Sequence, residues 1–320
     1  MLKSFAFVFP GQGAQSVGML DAWGNHPVLL QTLEEASTAL DFDIGLLIRQ
    51  GTKDELALTT NTQPVMLVAG VVAFRIWMHE TGAAPDCVAG HSLGEYAALV
   101  ASGVLTLAQA APLVRFRAEA MQDAVPVGAG AMAAIMGLDA PKIIAVCARI
   151  SGAIDQNGLN NGETVEAVNF NDPLQTVIAG SKAAVDRACE ELKAIGAKRA
   201  LLLQVSAPFH CSLMKPAGVK LKSKLAETQF AVPQIPLINN IDVAIEAEAE
   251  RIRDALYRQS FGPVRWVECI QAVRARGIRN IVECGPGKVL AGLCKRIDAD
   301  LTGASMFDPA SMTQVKELLQ

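Results

Sequence analysis

Long apolar runs are missing from this 320-residue chain. The longest, Pro64 to Phe74, is stopped by Arg75, well short of the ~20 residues that a bilayer-spanning helix needs, so it reads as a buried helix. The N-terminal stretch Met1-Leu2-Lys3-Ser4, followed by Phe5-Ala6-Phe7-Val8-Phe9, lacks the extended apolar segment and small-residue cleavage site of a secretory signal, and a cytoplasmic location is expected. Paired cysteines are missing too. The seven (Cys87, Cys147, Cys189, Cys211, Cys269, Cys284, Cys294) are odd in number and form no C-x-x-C pair, which argues against a disulfide framework and leaves no zinc or other metal site to propose. Charge is scarce, at 19% of residues with a net charge of −4, and this excludes general nucleic-acid binding. What is abundant is apolar: a 51% hydrophobic composition with mean hydropathy +0.29 describes an Ala-rich α/β protein with a large core.

The length suits one large domain with a smaller companion. Residues 5–9 predict a buried strand ending in the loop Pro10-Gly11-Gln12-Gly13, with a helical region from about Gln15. Thr62-Gln63-Pro64 reads as the start of an apolar helix running to about His79, since proline suits a first helical turn. A strand at 87–89, a helix from 95 and another over 106–122 follow. From Gly128-Ala129-Gly130 the rhythm changes to strand 131–136, helix 140–150, strands 163–169 and 176–179, helix 181–195 and strand 198–205. That β-α-β-β-α-β order is ferredoxin-like. Residues 129–205 are therefore expected to form a small domain inserted into a large α/β domain made of 1–128 and 206–320, with a parallel central sheet of α/β-hydrolase type. The polar stretch Asp155 to Gly162 reads as a surface loop. Beyond the insert, helices are expected over 212–227, 247–260 and 264–276, and strands near 236–239 and 278–282.

The densest chemistry sits at Gly90-His91-Ser92-Leu93-Gly94, between the apolar Cys87-Val88-Ala89 and the helix-prone Glu95 to Ala101. Glycines two before and two after the serine let a strand turn sharply into a helix, pushing the hydroxyl outwards under the helix N-terminus. A serine hydroxyl needs a base, and there are four histidines. His26 and His79 read as surface residues. His91 adjoins Ser92, but neighbouring side chains at a turn diverge, so its role reads as structural. His210, in a strand-to-helix loop, is the candidate base. No third member is evident; Asp172 and Asp242 are the acids to consider. Acyl chemistry at Ser92 would also need backbone N–H donors for an oxyanion, and the amides of Leu93 and Gln12 fit that role. The Gly11 to Gly18 run misses both the dinucleotide and the P-loop spacing, and Gly285-Pro286-Gly287 reads as a turn.

On the 106–122 helix, Arg117 falls in the apolar stripe with Leu113, Val114 and Met121, whereas Arg115 shares the polar face with Glu119. An inward guanidinium needs an anion, either an internal carboxylate or one carried by a substrate. Between Leu192 and Ala226 there is no acid, while Lys193, Lys198, Arg199, Lys215, Lys220, Lys222 and Lys224 are all basic. Such an island is either a solvated face or a docking surface.

Phe9 to Gly13, Thr62-Gln63-Pro64, Gly90 to Glu95, Arg117, Asn169-Phe170-Asn171, Ser206 to His210, Asn239-Asn240, Arg258-Gln259 and Gly285 to Gly287 together resemble the malonyl-CoA:acyl-carrier-protein transacylase family of fatty-acid and polyketide synthesis. The resemblance spans essentially the whole chain. It implies a ping-pong reaction with malonyl-CoA as substrate and no permanently bound cofactor, in which Ser92 takes malonyl as an ester and passes it to the phosphopantetheine thiol of acyl carrier protein. It also implies a Ser-His dyad with His210 oriented by the main-chain carbonyl of Gln259, and Arg117 as the partner of the malonyl carboxylate. Gln63, His91, Asn169 and Phe209 are expected around the pocket, where the bulk of Phe209 disfavours an α-methyl group. The acidic carrier would dock on Lys198, Arg199, Lys215, Lys220, Lys222 and Lys224, and the enzyme is expected to be a monomer. A serine acyl hydrolase and a sister polyketide acyltransferase are the alternatives. A nucleotide-binding module would lack both phosphate motifs.

Overall fold

The computed structural model describes residues 2–152 and 162–320. The elements are β1 (Phe5–Phe9), α1 (Pro27–Leu40), α2 (Ile44–Gln50), α3 (Lys53–Ala57), α4 (Thr59–Thr81), β2 (Cys87–Gly90), α5 (Gly94–Ala101), α6 (Leu107–Asp123), β3 (Gly130–Met136), α7 (Ala140–Ser151), β4 (Val165–Asp172), β5 (Gln175–Ser181), α8 (Lys182–Ala194), β6 (Arg199–Leu202), α9 (Lys215–Glu227), β7 (Leu237–Ile238), α10 (Ala249–Gln259), α11 (Trp266–Ala275), β8 (Asn280–Cys284), α12 (Val289–Ile297), β9 (Thr302–Met306) and α13 (Pro309–Leu319). The stretch Asp155 to Gly162, expected as a surface loop, lies outside the described residues except for Gly162.

The larger sheet has the order β7-β2-β1-β8-β9 and is parallel throughout. Its central strand is apolar at every position because helices cover both faces. Successive side chains alternate between those faces. Phe5, Phe7 and Phe9 point towards α4, where the Trp77 ring meets Phe5 at 5.7 Å and Phe7 at 5.6 Å, edge to face. Ala6 and Val8 point the other way, into a second cluster with Trp266 and Ile270 of α11 and Leu290 and Leu293 of α12.

The smaller sheet has the order β4-β5-β3-β6, antiparallel, with strands and helices following the expected βαββαβ sequence. One face packs on α7 and α8 through Ile135, Ile143, Ile178 and Val185. The other presents Met132, Ala134, Val168 and Val177 to Met121, Phe209 and Met214. Bulged β4 also joins the larger body, with Val264 N–H donating to Val168 O and Phe170 N–H to Val264 O.

Several local expectations are corrected. No helix begins at Gln15: Gly18 and Gly24 take φ of 72° and 58°, a short 3₁₀ turn covers Asp21–Trp23, and α1 starts at Pro27 with His26 Nδ1 accepting from Val28 N–H. The apolar helix starts at Thr59, with Pro64 inside it. Proline is tolerated there because the only bond forfeited is the one to the carbonyl of Thr60, near the helix start, while Thr62 Oγ1 donates to Leu56 O and Leu58 O. The 278–282 strand sits two residues later and α12, β9 and α13 complete the chain, with β9 adding a parallel edge strand to β8. Among the described residues no helix is long and apolar enough to cross a membrane, and all seven cysteines are buried and unpaired.

Candidate active site

β2 runs into α5 through one sharp turn at Ser92, whose φ of 53° is left-handed. For a residue other than glycine such a conformation costs about 1–3 kcal/mol and persists only when its surroundings fix it. The flanking glycines are required sterically. A Cβ on Gly90 would lie 2.0 Å from the carbonyl of Gly94, and one on Gly94 would lie 2.0 Å from Phe9 O. The turn is anchored by His91 N–H donating to Phe9 O at 2.9 Å. Beneath it, Asn240 Oδ1 accepts from Ser92 N–H at 2.7 Å and Asn240 Nδ2 donates to Gly90 O at 2.7 Å.

His210, also left-handed at φ 66°, is brought to the serine from the loop between β6 and α9. Its Nδ1 lies 2.9 Å from Gln259 O and 3.2 Å from Gly262 O, two acceptors that place the ring proton on Nδ1. Nε2 is thereby left as an acceptor, 2.6 Å from Ser92 Oγ. Burial, reinforced by the nearby Arg117 charge, pushes the imidazole pKa down to about 3. A neutral base therefore faces the hydroxyl at ordinary pH. Among the described residues no carboxylate completes a triad: Asp172 pairs with Arg296 at 2.9 Å, and Asp242 takes a fork from Arg258 at 2.7 and 2.6 Å that holds its carboxyl below the usual range.

Arg117 is 2% exposed on α6, as its place in the apolar stripe predicts. It donates to Gln63 Oε1 at 2.7 Å, Gln259 Oε1 at 3.2 Å and Ser92 Oγ at 3.3 Å, and its guanidinium lies 5.5 Å from the Tyr96 ring centroid. These partners are all neutral, Nε has none, and among the described residues Arg117 enters no ion pair. The nearest acid, Glu95, stands behind the Gln259 amide, which donates to Glu95 Oε2 at 3.1 Å. Burial raises the Glu95 carboxyl to about 7 against the bonds it accepts from Asn240 and Gln259. A buried guanidinium is thus aimed at the space above the serine without a counter-anion of its own.

That space is a cleft of about 120 Å³ lined by Gln12, His91, Asn169, Phe209 and the three residues above, with Leu203 and Val205 at its rim. An adjoining cavity of about 250 Å³ shares Gln12, His91 and Asn169 and extends to Val289 and Leu290 of α12. Gln12 belongs to a loop pressed on the elbow, where a Cβ on Gly11 would lie 2.9 Å from His91 O. Leu93 is the N-cap residue of α5. His91 is half-buried, bonded to Asn171 Oδ1 at 2.8 Å and stacked obliquely on Trp266. Asn169 Oδ1 is buried and unpartnered. His26 and His79 lie away from the cleft, with His26 bonded to Glu80.

The basic island is less free than its sequence implies. The fold sets Asp123 3.4 Å from Lys220 and Glu227 3.3 Å from Lys224, and Lys222 lies over the Tyr257 ring. Lys215 is exposed at the start of α9; Lys198 precedes and Arg199 opens the edge strand β6 that leads to Leu203 and Val205 at the cleft rim. The side chains of Glu95, Asn240 and Gln259 were not foreseen as a connected group. Their signal was the acid directly following the Gly-x-Ser-x-Gly turn, which has no reason to sit at a buried position unless something there needs it.

The sequence matches the family described as acyl transferase domain over residues 6–299. It is 48% identical to the malonyl CoA-acyl carrier protein transacylase of Escherichia coli (strain K12), across 99% of this chain and 100% of that protein. The fold superposes on the crystal structure of an acyl-carrier-protein S-malonyltransferase from Burkholderia pseudomallei 1710b with TM-score 0.93 and 58% identity, covering 98% and 99% of the two chains. It is also similar to a malonyl-transacylase solved in complex with a type II PKS acyl-carrier protein, with TM-score 0.94, 48% identity and coverage of 99% and 100%.

The depressed imidazole pKa sets a pH signature. Labelling of Ser92 by a fluorophosphonate probe, followed by intact mass, should stay within about twofold between pH 7.5 and 5.5, whereas an unperturbed imidazole would lose about tenfold over that interval. Glu95 changes protonation in the same window, but both bonds it accepts end on Oε2, leaving Oε1 to take the proton. A fall centred near 6.5 would contradict the assignment.

Proposed function

This chain belongs to the acyl transferase family, and from that membership we propose that it moves malonyl from malonyl-CoA to the phosphopantetheine thiol of acyl carrier protein in fatty-acid synthesis, through an ester on Ser92. The observation that carries the malonyl assignment is Arg117, a buried guanidinium 3.3 Å from Ser92 Oγ with only neutral partners. A plain thioester hydrolase has no use for it. A charged acyl group placed on Ser92 supplies the missing anion in bidentate geometry, held while the chemistry proceeds.

In the first half-reaction Ser92 Oγ attacks the thioester carbonyl as His210 Nε2 takes its proton, and the electron pair of the C=O bond moves to oxygen. The amides of Leu93 and Gln12 receive that oxyanion, each donor typically contributing ~10²-fold or more in rate. Collapse breaks the C–S bond, and the imidazolium returns its proton to the departing CoA sulfur. The low basicity of His210 makes it a strong acid once protonated, which suits this step. The carrier thiol then attacks the ester by the same route reversed, with Ser92 leaving as the alcohol. The sequence closes with no permanently bound cofactor. The Gln259 carbonyl holds the imidazole in its working tautomer, so a dyad suffices. Asn169 Oδ1 is positioned to accept an N–H from the substrate, Gln63 fixes the guanidinium, His91 and Phe209 wall the cleft, and the bulk of Phe209 disfavours α-branched acyl groups.

The carrier docks, in this reading, on Lys198, Arg199, Lys215, Lys220, Lys222 and Lys224, supported by the place of the last four on α9, the helix that follows His210, and by the strand that runs from Arg199 towards the cleft. Residues 129–205 form the small domain that roofs the cleft and 1–128 with 206–320 the large one. Every group in the mechanism comes from one chain, which supports a monomer, and seven unpaired cysteines support a reducing, cytoplasmic setting.

Ser92→Ala should yield no malonylated protein by intact mass after exposure to malonyl-CoA; a surviving adduct would remove Ser92 from the reaction. Arg117→Ala should lower kcat/KM for malonyl transfer by about 10²-fold or more while acetyl transfer changes far less, and equal losses would remove the carboxylate assignment. Neutralising Lys215, Lys220, Lys222 and Lys224 together should raise KM for the carrier and flatten its salt dependence. Unchanged carrier kinetics would move the docking face elsewhere.

A further inference from the structure

We propose that Asn240, anchored by Glu95, is a positioning residue for the nucleophile, closing the left-handed elbow from below so that Ser92 Oγ stays in line with His210. The inference rests on Ser92 being the residue that carries the acyl group. Asn240 is fully buried, and its side-chain amide brackets the strained residue, accepting from Ser92 N–H on one side and donating to Gly90 O on the other, both at 2.7 Å. Its backbone is engaged as well: N–H donates to Glu95 Oε2 at 2.8 Å and its carbonyl accepts from Arg265 N–H at 3.2 Å. The same Glu95 oxygen accepts from Gln259 Nε2, which also donates to Ser92 O at 3.0 Å. Both peptide groups of Ser92 are therefore tied, through Asn240 and Gln259, to one carboxylate.

The segment that delivers Asn240 is itself built under strain. Asn239 N–H and Nδ2 both donate to Ala244 O, at 3.0 and 3.1 Å, and Asn239 Oδ1 accepts from Asp242 N–H at 2.8 Å. This tight turn forces Val243, a β-branched residue, to φ 58°, where such side chains are rarely tolerated. Arg258 clamps the turn from outside through its fork to Asp242. Strain held in place by three side chains marks a turn whose position matters more than its comfort. The residue type follows from the geometry. A planar amide carries its acceptor and its donor on two separate atoms of one short arm, which a hydroxyl does not; an aspartate would lose the bond to Gly90 O and set a second carboxylate beside Glu95.

The experiment measures single-turnover acylation by malonyl-CoA and by acetyl-CoA, with malonyl-CoA binding followed calorimetrically in the Ser92→Ala background. Asn240→Ala should slow both acylations by about 10²-fold, the penalty for displacing a reacting atom by ~1 Å, with the malonyl-to-acetyl ratio and the binding affinity each within about twofold. Glu95→Ala should behave alike, and Glu95→Gln, which keeps one oxygen for both donors, should recover at least about tenfold over it. Should Asn240→Ala not fold, the Glu95 pair decides. Acylation rates within about threefold of the parent, no recovery in Glu95→Gln, or a loss accompanied by a changed malonyl-to-acetyl ratio would overturn the proposal. Failure of the parent protein to acquire any acyl group on Ser92 would instead overturn the proposed function.

Discussion

The close approach of Gly94 to the end of β1 is the constraint on which the site depends. A Cβ on Gly94 would lie 2.0 Å from Phe9 O, so α5 can start this close to β1 only with a glycine there, and Ser92 takes up the turn in a left-handed conformation. Nothing local stabilises that conformation in serine. It is held by groups that arrive from far along the chain: Asn240 from the β7 turn, Gln259 from the end of α10 and His210 from the loop after β6. The parallel sheet matters chemically because it brings the carboxyl ends of β1, β2 and β7 side by side, so that three separate loops meet over one serine.

Electrostatics follow from the same burial. Arg117 and Glu95 are both enclosed, on either side of the Gln259 amide, and neither meets the other directly. Gln259 therefore transmits between them. Its carbonyl oxygen satisfies the guanidinium, its NH₂ satisfies the carboxylate, and its main-chain carbonyl holds His210. Burial, reinforced by the positive charge left facing the cleft, keeps the imidazole neutral, and the guanidinium has no counter-anion of its own. One buried cation thus lies against both the imidazole and the serine hydroxyl. A direct Arg117–Glu95 ion pair would have satisfied the guanidinium internally and left it no unmatched charge towards the cleft.

How much of this was legible in the sequence depended on whether the signal was local. The turn at Ser92 was readable because its glycines are required by atoms within a few residues or on the adjacent strand, and Arg117 because helical period places it among apolar neighbours. The βαββαβ order was readable from alternating periodicities. Pairing acids with partners was not: the candidates Asp172 and Asp242 are engaged by Arg296 and Arg258, which only the fold brings close. The same limit applied to the basic island, since Asp123 lies 97 positions from the Lys220 it neutralises. The helix expected at Gln15 failed because Gly18 and Gly24 adopt left-handed φ, and the late start assigned to α4 because proline is tolerated deeper in a helix than its first turn when the bond it forgoes lies near the end. Glu95 and Asn240 were visible as motif letters, but their purpose is a contact across 145 positions.

The small sheet completes the site in a way the large sheet could not. Parallel strands end in loops that converge on Ser92 but leave the space above it open to water. The antiparallel sheet supplies a roof: Met132 from β3 and Asn169 from β4 face the cleft, while Val168 and Val177 seal against Phe209 and Met214. β4 is stitched to the body by Val168 and Phe170 pairing with Val264, beside Gly262, whose carbonyl shares the His210 proton. The roof and the base are therefore fixed to the same short segment, 262–264. Displacing the small sheet would move a carbonyl that orients the imidazole as well as open the cleft. Access to Ser92 and the orientation of His210 are coupled through three residues, which is why the bulge that lets β4 reach Val264 belongs to the site as much as the serine does.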